Sequence, residues 1–129
     1  MTPAEMVDLH RSCDVYVSSS RGEGLDLPAF AAKLAGRRIV TTASGGPEDF
    51  LDPEVDVVVP ETGLVPADPA YKWGEGADYI DYSIDALAEA MQSAHRRPRH
   101  GSRVWPGMHL HQARVVGEIL KNWVKKVTA

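Results

Sequence analysis

These 129 residues predict a truncated, Rossmann-like, doubly wound α/β fold: about three parallel strands, helices on both faces and a long C-terminal helix. Two observations predict it. Short β-branched runs alternate with stretches patterned as helices, the mark of parallel β-α-β winding with right-handed crossovers. Glycine-bearing loops follow the first two of those runs, where such a sheet builds its ligand rim.

The elements follow in order. Thr2-Pro3-Ala4-Glu5 is a capping box, with proline at the first helical position, where a missing amide hydrogen costs nothing. Met6, Leu9 and Cys13 then keep helical spacing. Asp14 to Ser18 reads as a short buried strand. A loop from Ser19 to Leu27 leads into a helix that begins near Pro28, runs through Phe30, Ala31 and Leu34, and stops at Gly36. Arg38 to Thr42 is a β-branched strand. Ser44-Gly45-Gly46-Pro47 turns the chain into a short helical piece through Phe50 and Leu51. Val55 to Pro60 is the third strand. Residues 61–82, with Pro66, Pro69, Gly74 and Gly76, read as an irregular excursion. Ser83 caps a helix whose Ile84, Leu87, Ala88 and Met91 form one apolar stripe. The final helix is expected from about 108 to 127, packed through Val116, Leu120, Trp123 and Val127.

Length and composition bound the function. The chain suits one domain, 43% hydrophobic and 25% charged, as is ordinary for a globular protein. A net charge of -4 with no basic face argues against nucleic acid as a partner. The densest basic run, His95 to His100, reads first as a solvated loop and second as a contact for phosphate or an acidic partner. The single cysteine, Cys13, permits no internal disulfide and reads as an inert thiol, which fits a reducing compartment. With no signal peptide and no apolar stretch of membrane-spanning length, the expected address is cytoplasmic.

The loops carry the candidate chemistry. Arg21 to Leu27 and Ser44 to Gly46 lie at the predicted carboxyl ends of the first two strands. Glycine lets backbone amides approach a ligand, and the helix starting near Pro28 offers unpaired amides to an anion. An anion or phosphate crevice is one reading; tight turns with no ligand are the other.

The residues also resemble a known pattern. Asp14-Val15-Tyr16-Val17-Ser18-Ser19-Ser20-Arg21-Gly22-Glu23-Gly24-Leu25-Asp26-Leu27-Pro28 is similar to the donor-site segment of retaining GT-B glycosyltransferases, D-V-x-V-x-P-S-x-x-E-G-F-G-L-P. Ala32, Ala35 and Gly36 with Ile39-Val40 resemble that family's E-A-M-A-x-G-x-P-V-V stretch, and Gly45-Gly46-Pro47-Glu48-Asp49 its G-G-x-x-E segment. The spacing holds over about residues 5 to 60. The resemblance implies that residues 1–129 form part of a C-terminal, donor-binding domain. Ser20, Arg21, Gly22, Glu23, Gly24, Leu25, Asp26, Gly45 and Gly46 would hold a nucleotide-sugar or another phosphate-containing small molecule, with Glu23 on the transferred sugar. No cofactor and no metal is implied.

Two positions depart from the family pattern. Ala31 stands where a second glutamate would accept from ribose, and Asp26, which suits as a cap for the following helix, stands where a second glycine would lie near the diphosphate. The domain's first half and the acceptor domain have no counterpart in these residues, so catalysis by this chain alone is not expected. Of its arginines, Arg21 is better placed than Arg38 for a phosphate. The competing expectation is a non-enzymatic module that pairs with itself or a partner chain through an exposed sheet edge. His109 and His111 point apart on a helix and suggest no metal. Tyr71 and Trp73 read as cover for the sheet before sugar stacking.

Overall fold

A computed structural model of the chain describes residues 2–70 and 76–98. Tyr71, Trp73, His109, His111, Trp123 and the expected last helix lie outside the described residues.

The parallel sheet is present. Strands β1 (Val15–Val17), β2 (Arg38–Thr41) and β3 (Val57–Val58) form a three-stranded sheet in the order β1-β2-β3. Both pairings are parallel, with Tyr16 opposite Ile39 and Val40 opposite Val57. The third strand is shorter than its valine run suggested. The amides of Val55 and Asp56 both donate to the Asp52 carbonyl, closing a turn that holds them away from the ladder. Val59 still donates to Thr41 beyond the assigned strand.

Helices α1 (Pro3–Ser12), α2 (Leu27–Leu34) and α3 (Ile84–Arg96) begin and end where local chemistry dictates. Thr2 caps α1 with the full reciprocal box to Glu5. Ser83 caps α3 through the amide of Ala86. Gly36, at φ +77°, takes the left-handed turn that ends α2. The piece after Gly45 is a single 3-10 turn over Gly46–Asp49.

The pleat of each strand divides the core between two faces. On one face, Val40, Val57 and Val59 pack with Ala90, Ala94 and Tyr82, so α3 covers that side. On the other, Ile39 packs with Ala29, Ala32 and Phe50, and Tyr16 adds its ring. Phe30 and Phe50 meet edge to face at 5.4 Å between centroids. Each fully buried apolar side chain of this size contributes about 1.5–3 kcal/mol. Small alanines on α2 and α3 let both helices sit close to the sheet.

The region expected to be irregular is in part a second sheet. Strands β4 (Gly63–Pro66) and β5 (Asp78–Asp81) pair antiparallel, with Leu64 opposite Ile80. Pro66 lies in a two-stranded ribbon, where every strand is an edge and a missing amide hydrogen is tolerated. No described helix is long and apolar enough to cross a membrane.

Candidate functional site

The two glycine loops converge on one rim at the carboxyl ends of β1 and β2. Gly46 lies so close to the first loop that a Cβ on it would stand 1.9 Å from the Gly24 carbonyl oxygen. A Cβ on Gly45, itself at φ +72°, would stand 2.5 Å from the Glu23 oxygen. Only residues without side chains permit this backbone contact. Gly24, by contrast, has open space beside it.

On this rim the Glu23 carboxylate is exposed, and Ser20 Oγ donates to its Oε1 at 2.8 Å. No backbone amide from Gly22 to Leu25 donates to a backbone carbonyl among the described residues. The loop therefore presents an anchored carboxylate acceptor beside a run of amide donors. Leu25 turns inward and packs on the α2 face of the core, fixing the end of the loop.

Asp26 does not face the crevice. It is buried, holds φ +55°, and caps α2 by accepting from the Ala29 amide at 3.0 Å. Ser18 Oγ donates to its other oxygen. A glycine or a small polar residue suits this left-handed position, because an aspartate side chain can bond locally. The carboxylate thus occupies the α2 amide that an anion would otherwise use. The expected open helix N-terminus is already filled.

Arg21 is also held elsewhere. Its Nη2 lies 3.3 Å from Asp81 Oδ1, and its guanidinium carbon stands 5.4 Å from the Tyr82 ring centre. Strand β5 clasps the same loop through its backbone, since Ile80 donates to the Arg21 carbonyl at 2.9 Å. Tyr82 Oη donates to the Ser19 carbonyl at 2.6 Å. Sequence reasoning missed this clasp; its partners lie some sixty positions apart in the chain. A Cβ on Gly22 would stand 3.8 Å from the Tyr79 ring, so β5 forms a wall beside the loop.

Tyr16 lies under the rim, and its phenol is pushed above the usual tyrosine range, first by burial and then by the charges of Asp26 and Glu23. The two acidic groups of the first loop thus both act on this phenol. The ring of buried His10 meets that of Tyr16 at a tilt of 59° with centroids 5.7 Å apart, and its Nε2 meets no hydrogen-bond partner among the described residues.

Arg38 lies at the opposite end of the sheet. It is buried at the start of β2 and donates to the carbonyls of Val55 (2.8 Å), Ala94 (2.6 Å) and Pro98 (2.9 Å). It cannot serve the crevice. The described part of the basic run, His95 to Pro98, is no free loop: His95 and Arg96 end α3, and Arg97 reaches back to the Asp56 carbonyl at 2.9 Å. Cys13 is half-buried, its thiol donating to the His10 carbonyl. Among the described residues no three His, Cys, Asp or Glu side chains are grouped to hold a metal ion. No protein-family model, no curated protein and no solved structure matches the chain.

Proposed function

We propose that the carboxyl-end rim binds the sugar of a nucleotide-sugar, in the manner of a glycosyltransferase donor site. One observation carries this reading: Glu23, oriented by Ser20, stands exposed on a loop of amide donors that the Gly45-Gly46 backbone supports. A carboxylate accepts strongly from adjacent hydroxyls, and free amides donate to them. The acidic surroundings and the engagement of Arg21 by Asp81 favour the sugar over the diphosphate as the recognised group. A thermal-shift series with UDP, GDP, UDP-glucose and GDP-mannose tests it. A ligand at a hundredfold its Kd adds about 2.7 kcal/mol to stability, which raises the midpoint visibly. Stabilisation by the nucleotide-sugars beyond that from UDP or GDP supports the proposal; equal or absent shifts defeat it.

A second reading has its own observation. Among the described residues β1 and β3 each pair only with β2, which leaves two open strand edges. Met6 and Leu9 add exposed apolar surface on α1. Such edges invite another chain. Sedimentation at rising concentration distinguishes self-association from a monomer, and a monomer throughout removes the homo-oligomer.

A further inference from the structure

The amino ends of the strands hold a feature that the carboxyl rim does not use. A cavity of about 150 Å³ opens there between the start of β1, the start of β2 and the carboxyl ends of α2 and α3. Arg37, Arg38 and Arg97 line it, with Asp14, Gly36 and His95. Three arginines thus share the lining with one acidic residue. The nearby Asp56 is already engaged by Lys33.

Each arginine is fixed. Arg38 is held by four carbonyls, those of Val55, Ala94 and Pro98 and, more weakly, Arg97 at 3.4 Å. Arg37 donates through Nε to Ala35 at 3.1 Å and through Nη1 to Cys13 at 2.9 Å. Arg97 donates through Nη1 to Asp56 at 2.9 Å and more weakly to Val55 at 3.3 Å. A guanidinium carries five N–H donors, more than these carbonyls take from Arg37 or Arg97. The carbonyl ends of the helices soften the positive charge without cancelling it. Burial, and then the charge of Arg97, lower the pKa of Arg38, with Asp56 opposing.

We propose that this cavity is an anion site for a phosphoryl group, free or at the end of a small phosphomonoester, gripped by Arg37 and Arg97 over the fixed guanidinium of Arg38. Two forks approaching from different elements suit a tetrahedral oxyanion, whose oxygens point in several directions; a planar carboxylate matches a single fork. The site stands at the opposite end of the sheet from the sugar crevice and is independent of it.

Amide NMR titration with inorganic phosphate, and in parallel with glycerol 3-phosphate, tests the proposal at fixed ionic strength against chloride. Saturable shifts are expected at Gly36, Arg37, His95 and Arg97, with a Kd on the order of 1 mM. If only inorganic phosphate shifts them, the ligand is the free ion; if the ester shifts them as well, the site accepts a terminal phosphoryl group. Arg97→Gln should weaken binding about tenfold, because a charge-assisted bond is lost. Arg37→Gln should do likewise, and an unchanged amide spectrum in the absence of ligand shows that each variant is folded. Glu23→Gln should leave phosphate binding intact. No saturable shift, shifts confined to Gly22, Gly24, Gly45 and Gly46, or equal affinity in folded Arg97→Gln would overturn the assignment.

Discussion

The two ends of the parallel sheet are built on opposite plans. At the amino ends, charged side chains reach inward and close on backbone carbonyls: Arg38 on four of them, Arg37 on Cys13 and Ala35, Arg97 on Val55 and Asp56. At the carboxyl ends, backbone meets backbone through Gly45 and Gly46, and the polar side chain at the tip, Glu23, is exposed. The difference follows from the polarity of β-α-β winding. Helix carboxyl termini gather at one end and need cations; loops leading into helix amino termini gather at the other and offer amides. One end gathers fixed cations around a cavity, and the other leaves a carboxylate exposed on its loops.

The largest effect is expected where the amino-end lock is deepest. Asp56 accepts from Lys33 Nζ, from the Ile39 amide at 2.8 Å and from the Asp52 amide at 2.7 Å. Asp56→Ala strands a buried ammonium and two amides, and should cost about 3–5 kcal/mol in urea unfolding. A loss as small as that of a surface substitution would break the contrast between the two ends.

At the carboxyl end the sensitive atoms are backbone. Gly46→Ala should cost about 3 kcal/mol, since neither partner of the clash can yield as a side chain would. Gly24→Ala, with open space beside it, should stay within about 0.5 kcal/mol in the same unfolding experiment. Equal costs would mean that the two loops do not touch.

Asp26 sharpens the point further. Asp26→Ala loses the cap and places an ordinary residue in left-handed backbone, for a combined cost of about 2 kcal/mol. Asp26→Gly loses only the cap and should cost less than about 1 kcal/mol. Chemical denaturation of both variants separates capping from backbone conformation.

The smallest expected effect is electrostatic. Tyr16 is raised in the folded chain, so its contribution to stability is fully present below its unfolded pKa of about 10 and is lost as pH rises through the higher folded value. Spectroscopic titration of tyrosinate should show one late component that Tyr16→Phe removes. Glu23→Gln should move that component slightly down, because one of its causes is gone.

Much of this was legible in the residues where the signal is local. The Thr2–Glu5 box, the Ser83 cap and the Gly36 stop each act within one turn, and all three stand where expected. The β-branched runs named the strands of the parallel sheet, although the Asp52 turn shortened β3. What escaped depends on distance along the chain. Pro66 and Gly76 read as breakers, yet Gly63 pairs with Asp81 eighteen positions away, and no local pattern announces that ribbon. Lys33 and Arg38 are residue types usually exposed. Their burial depends on partners such as Asp56 and Ala94 that only the folded chain brings near. Asp26 read in sequence both as a cap for α2 and as a charge beside a diphosphate; the cap is present, while its left-handed backbone and its bond from Ser18 bury the charge. Arg21, the better candidate of the two arginines, is drawn aside by Asp81 and Tyr82.

Titration calorimetry of UDP-glucose and GDP-mannose into the native chain and into Glu23→Gln puts the exposed carboxylate to the most direct test. Measurable heat with at least one nucleotide-sugar, and an affinity about tenfold weaker in the folded variant, is the predicted result. Binding that is unchanged in Glu23→Gln, or absent from the native chain with both compounds, would contradict it.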